Sequence, residues 1–200
     1  MRVGLDFDNT IVRYDSLFHR VALEQGLIPD HVPRDKAKVR DHIRSIGREP
    51  DWTAMQGEVY GARMGEAEPF PGVVDAMSRL VARGHELVIV SHKTQHPIIG
   101  PKHDLRAAAR GWIDDNLIAD GEALFPSGMV HFEATKEEKL ARIAACGCEL
   151  FLDDLPEILN APGFPRQVRA VLFDPAGNHA GATREAVASW DDFAALLGAP

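Results

Sequence analysis

The chain is 200 residues long, with 45% hydrophobic and 26% charged residues and a formal net charge of −8. That is enough to bury one good core and carry a small accessory domain. The negative balance argues against general nucleic-acid binding, which relies on a basic surface, and no run of about 18 apolar residues is present to span a bilayer. Neither a nucleic-acid nor a membrane partner is expected.

The first apolar run, about 2–7, reads as a strand, and Asp6 and Asp8 fall at its end. These two acids also interrupt the only early apolar stretch, so no signal peptide is expected. Acids are rarely buried unless paired, so a strand carrying two of them owes them to a function. The spacing suits a metal-assisted nucleophile, in which one carboxylate attacks and its neighbour two positions on handles the proton.

Residues 13–69 read as several helices without a strand, at about 15–26, 34–46 and 51–64, punctuated by Pro29, Pro33 and Pro50. Within them, Arg34, Lys36, Lys38, Arg40, Arg44 and Arg48 outnumber Asp35 and Asp41, a local reversal of sign. Lys36, Arg40 and Arg44 share one helical face; it reads either as a surface that attracts an anionic substrate or as a solvated charged face. Trp52, Met55 and Tyr60 line either a pocket or the insertion's own small core. Gly65–Pro71 is a return linker.

From there strand and helix alternate. A helix over Val73–Arg83 starts after Pro71-Gly72 and stops at Gly84. A strand over Glu86–Val90 runs into Ser91, and a second amphipathic helix spans Asp104–Asn116. A short strand is expected at Met129–Phe132. The helix Thr135–Cys146 opens on a capping box, with Thr135 as N-cap and Glu138 three residues on. Cys146 and Cys148 are too close for an ordinary disulfide, and two ligands alone do not make a metal site; small residues in a helix-to-strand turn of a reduced, cytoplasmic protein are the better account. Leu150–Leu152 precedes Asp153 and Asp154, Val168–Phe173 is a fifth strand, and Trp190–Leu197 is the last helix.

This alternation predicts an α/β fold: a three-layer α/β/α, Rossmann-like parallel sheet formed by 1–12 and 70–200, with a helical cap of 13–69 inserted after the first strand. In such sheets functional residues gather at the carboxyl ends of strands. Asp6, Asp8, Ser91, Asp153 and Asp154 all fall there, and Lys136 starts the helix that precedes the fourth strand.

Together these residues resemble the four motifs of the haloacid dehalogenase-like superfamily, over Leu5–Val12, Pro69–Thr94 and Thr135–Leu159. The resemblance implies that Asp6 is the nucleophile, that Asp8 protonates the leaving alcohol and then deprotonates water, and that Ser91 and a lysine contact the phosphoryl oxygens. Lys136 is the expected lysine, with Lys139, Lys93 and Lys102 as alternatives. It also implies Mg²⁺ held by Asp6, the backbone carbonyl of Asp8 and the Asp153–Asp154 pair. Asp154 is expected to bind the metal directly and Asp153 through water, because adjacent side chains of a strand point to opposite faces. Thr10, His92, Lys93, Arg40 and Arg44 are the expected substrate contacts. An Asp two residues after the nucleophile is, by the same resemblance, the mark of members acting on phosphomonoesters.

The expected function is therefore Mg²⁺-dependent hydrolysis of a small phosphorylated metabolite, a sugar phosphate or nucleotide, by a monomer or small homo-oligomer. A phosphotransferase or mutase on the same site, and a non-catalytic phosphate- and metal-binding module, are the alternatives.

Overall fold

In chain order the elements are β1 (Arg2–Leu5), β2 (Val12–Arg13), α1 (Asp15–Glu24), α2 (Lys36–Ser45), α3 (Glu49–Gly57), a π-helical turn (Glu58–Ala62), a 3-10 turn (Met64–Glu66) and β3 (Glu68–Pro69). They continue with α4 (Val73–Ala82), β4 (Glu86–His92), α5 (Leu105–Asn116), β5 (Ile118–Ala119), β6 (Glu122–Ala123), β7 (Val130–Glu133), α6 (Lys136–Ala145), β8 (Leu150–Asp153), α7 (Pro156–Leu159), β9 (Arg169–Phe173), β10 (Ala186–Val187) and α8 (Trp190–Leu196). The computed structural model describes residues 1–198. Among these, no helix is long and apolar enough to cross a membrane.

The chain divides into two units, the first made of residues 1–12, 69–93 and 113–200 and the second of 13–68 and 94–112. The first is built on a six-stranded sheet of order β10-β9-β8-β1-β4-β7, whose strands pair in parallel throughout. β1 sits between β4 and β8, with Val3 opposite Leu87 on one side and Leu150 on the other. A strand covered on both faces should be apolar where it is buried, and β4 is over Leu87–Val90, all buried, before it reaches the buried Ser91. Its Val88 and Val90 join Phe151 and Leu172 under Leu140 and Ile143 of α6 and Ile158 and Leu159 of α7. Alternation along the strand turns Phe173 to the opposite face, where its ring meets Phe70 and Trp190 at 4.9 and 6.1 Å. This is the three-layer arrangement.

Gly4 is required where it stands. A Cβ there would lie 2.5 Å from the Phe151 ring and 2.8 Å from Cys148 Sγ, closer than carbon atoms approach. The Cys146–Cys148 segment is the turn joining α6 to β8; both thiols are free, and burial pushes Cys148 up to about 12.

The second unit is wider than the 13–69 segment expected from sequence, because it takes in 94–112. Gly57 and Gly61 let that segment approach: a Cβ on either would stand 2.7 Å from Pro97 or 2.6 Å from His103. Trp112 also donates its indole N–H to the Ala67 carbonyl at 2.9 Å. The unit's core is aromatic. Phe18 stacks on Trp52 at 4.9 Å, Tyr60 packs edge-on against Tyr14 and Phe18, and Met55 is fully buried. Trp52, Met55 and Tyr60 thus serve the insertion's own packing, and Lys36 lies over the same rings, 5.5 Å from Phe18 and Tyr60.

Candidate active site

The sheet order reverses at β1. The chain steps outward from β1 to β4 and β7, then returns to the other side of β1 for β8, β9 and β10. Open parallel sheets form a crevice at that switch point, beyond the carboxyl ends of the strands. Asp6 follows β1, Ser91 lies near the end of β4 and Asp153 ends β8, so three adjacent strands deliver three polar side chains to one place.

Asp6 is buried, and its Oδ1 accepts hydrogen bonds from Ser91 Oγ at 2.9 Å and Lys139 Nζ at 2.6 Å. The same ammonium donates to Asp153 Oδ2 at 2.6 Å, and Asp153 Oδ1 accepts from the Leu155 amide at 2.9 Å. Burial raises the Asp6 carboxyl, Lys139 opposes the rise and Asp153 adds to it, leaving the group at about 6. For Lys139, burial lowers the ammonium, but Asp6 and Asp153 together outweigh it and hold the group above the ordinary lysine value. One buried cation thus sits between two buried anions.

The lysine that bonds Asp6 is Lys139, not Lys136. Long helical side chains lean toward the helix N-terminus, so the residue reaching over that end comes from one turn further in. Thr135 Oγ1 accepts from the Glu138 amide at 3.1 Å and Glu138 Oε2 from the Thr135 amide at 3.1 Å, the expected capping box. That cap fixes Lys136 at the first helical position, from which its ammonium donates to the Glu157 carbonyl at 2.6 Å. Lys139 lies on the buried stripe, one turn before Ile143.

Asp8 lies in a tight turn. The Phe7 carbonyl accepts from the Ile11 and Val12 amides at 3.0 and 3.2 Å, and Asn9 adopts a left-handed φ of 59°, which asparagine tolerates better than most residues. Lys93 Nζ reaches both oxygens of the Asp8 carboxylate, at 3.1 and 2.9 Å.

Asp6, Asp153 and Asp154 each offer a carboxylate oxygen, and these oxygens lie within 4.8 Å of one another. β8 ends at Asp153, so strand alternation does not hold for Asp154, and both acids of the pair reach the cluster.

The other expected contacts fare differently. His92 follows Ser91 on β4, so alternation turns it away; it is exposed and bonds the Ala134 carbonyl at 2.9 Å. Lys93, two residues after Ser91, lies on the Ser91 side and is buried. Thr10 is completely buried, and its carbonyl accepts from the Trp190 indole at 3.0 Å, so it presents no surface to a ligand. Arg40 and Arg44 belong to the second unit, where Arg40 pairs with Asp41 and Arg44 with Glu49, so much of the positive face expected from sequence is neutralised.

No family model matches the sequence, and no curated protein matches it. Solved structures do. A HAD-superfamily hydrolase from Ehrlichia chaffeensis is 14% identical, with 98% of this chain and 95% of that one covered and a TM-score of 0.54. The HAD-hydrolase candidate YfnB from Bacillus subtilis, solved with magnesium bound, is 13% identical over 99% of this chain and 98% of its own, with a TM-score of 0.61. A candidate phosphoglycolate phosphatase from Lactobacillus delbrueckii subsp. bulgaricus is 14% identical over 99% and 98%, at a TM-score of 0.57. The L-2-haloacid dehalogenase RSc1362 is similar to the same degree, 15% identical over 99% and 98% at 0.57. The chain has the fold of the haloacid dehalogenase-like hydrolases.

Proposed function

We propose that the chain is a Mg²⁺-dependent phosphomonoester hydrolase that acts on a small phosphorylated metabolite through an aspartyl-phosphate on Asp6. The observation that carries this reading is the Asp6 carboxylate fixed by two donors, Ser91 and Lys139, on the single oxygen Oδ1, beside a second carboxylate, Asp8, two residues on. Phosphoryl transfer asks for positioning and charge neutralisation more than for covalent chemistry, and these residues offer both. Solved structures of this fold include dehalogenases as well as a phosphatase candidate; Asp8 favours the phosphatase, because breaking a C–O–P link to a poor leaving alcohol calls for a proton donor.

The donor set fits a hard divalent cation. Asp6, Asp153 and Asp154 offer only oxygens, the ligands Mg²⁺ takes. Asp6, Asp153 and Asp154 against Lys139 leave a formal excess of two negative charges among these four, which one divalent ion balances. These three carboxylates would hold the ion, with the Asp8 carbonyl, and when bound it screens the repulsion between a carboxylate and a phosphate dianion. Asp6 attacks phosphorus as the bond to the leaving oxygen breaks, and Asp8 gives that oxygen its proton. Asp8 then takes a proton from water as the water oxygen attacks phosphorus, the bond to Asp6 breaks and Asp6 is restored. Ser91 and Lys139 hold the carboxylate's orientation through both steps. The two free thiols support a reducing, cytoplasmic setting for this activity.

Phosphate release from a panel of sugar phosphates, nucleotides and an aryl phosphate, with and without Mg²⁺ and beside Asp6→Asn, tests the reading. Metal-dependent release that Asp6→Asn abolishes is the expected result. No release from any compound, or turnover of 2-haloacids in its place, would overturn it.

A further inference from the structure

We propose that Lys93 is the positioning residue for Asp8, holding its carboxyl group in the orientation from which the leaving oxygen is protonated, and that it does not bind the substrate's phosphoryl group. The inference deepens the hydrolase reading above and rests on it.

Three observations support it. Lys93 Nζ meets both Asp8 oxygens, at 2.9 and 3.1 Å, a two-point contact that fixes the carboxylate plane where a single bond would let it turn. The lysine is itself held. It is 5% exposed, its ammonium lies 5.6 Å from the centre of the Phe7 ring, and its backbone N–H donates to the Glu133 carbonyl at 2.8 Å. A lysine meant to follow a phosphate in and out of a crevice needs a mobile stem, and this one is packed away. Finally, the nucleophile already has a different lysine, Lys139, so the two cations divide the work: Lys139 serves Asp6 and Lys93 serves Asp8.

The proton inventory is unchanged by Lys93. The proton that reaches the leaving oxygen comes from Asp8 and is replaced from water in the second step. Lys93 keeps its three protons throughout; its ammonium bridges both oxygens while Asp8 is ionised and stays against one of them while the other carries the proton.

This role predicts a dependence on the leaving group that a purely structural or a phosphate-binding role does not. Nitrophenolate departs without a proton, whereas an alkoxide needs one. The experiment measures kcat/KM, which reports the steps up to phosphoryl transfer to Asp6, for an alkyl phosphate and for p-nitrophenyl phosphate. It compares wild type with Lys93→Met and Lys93→Arg at saturating Mg²⁺ and adds the inhibition constant of inorganic phosphate. The alkyl-to-aryl ratio should fall about 100-fold in Lys93→Met, the lower end of what general acid catalysis contributes. It should stay nearer the wild-type value in Lys93→Arg, which keeps a cationic donor, while phosphate inhibition is unchanged in both. Because both substrates are assayed on one preparation, the ratio does not depend on the fraction of enzyme that folds. An unchanged ratio with equal loss on both substrates, or phosphate inhibition weakened tenfold or more, would overturn the proposal alone. Wild type that releases phosphate from neither substrate would overturn the hydrolase reading and this proposal with it.

Discussion

Lys139 carries an unusual load for one side chain, since its ammonium is the shared partner of two carboxylates that are themselves almost wholly buried. Breaking a buried ion pair from one side leaves uncompensated charge, which costs about 3–5 kcal/mol. Lys139→Met should therefore lower the unfolding free energy by about that amount in urea titrations of metal-free protein, with Asp6→Asn in the same background restoring part of it. A loss below about 1 kcal/mol would mean that the two acids are neutral or solvated in the folded chain. Sequence placed a lysine at this site and favoured Lys136 over Lys139, because the very first turn of the helix was expected to aim into the crevice. The lean of helical side chains toward the N-terminus separates them, and that was the available signal. His92 was separable in the same way: it is one residue from Ser91 on a strand whose alternation puts Ser91 and Lys93 together and His92 opposite.

At the scale of elements, α6 shows how a local motif sets a distant contact. The capping box of Thr135 and Glu138 fixes the first turn of the helix, and hence the position from which Lys139 reaches Asp6. Thr135→Ala should cost about 1 kcal/mol of stability, the usual value for an N-cap. It should also lower kcat several-fold through a frayed first turn, and Thr135→Ser should restore both; thermal melts and steady-state rates read the two effects. This motif was legible because its residues lie within four positions. The two-residue strand β10, the hairpin of β5 and β6 and the short strands β2 and β3 were not, since two residues carry no alternation. The π-helical turn after α3 was hidden for another reason: Glu58–Ala62 continues an apolar helical pattern, and the Gly61 approach to His103 that accompanies it is a tertiary contact.

For the whole molecule, the alternation of strands and helices made the sheet class readable, but the strand order that creates the crevice was not, because pairing between β1 and β8 joins residues almost 150 positions apart. Nor did composition show that 94–112 belongs with the helical insertion, which depends on glycines that admit Pro97 and His103. The cluster of Asp6, Asp153 and Asp154 predicts a global response to metal. Mg²⁺ at 100 times its dissociation constant should stabilise the fold by about 2.7 kcal/mol, a rise in Tm of roughly 5–10 °C for a chain of this size. Asp154→Asn should remove most of that rise, and a wild-type Tm indifferent to Mg²⁺ would count against the cation site.

The contacts of Asp6 close loops of 85 residues to Ser91 and 133 residues to Lys139. Local segments can form early, but loops of that length close late and make the sheet slow to assemble. Asp6 therefore acquires both of its donors only after segments far along the chain have packed beside β1. On the function proposed above, a carboxylate aligned for phosphoryl chemistry exists only once these loops have closed, and regained turnover is the expected reporter of a refolded sheet.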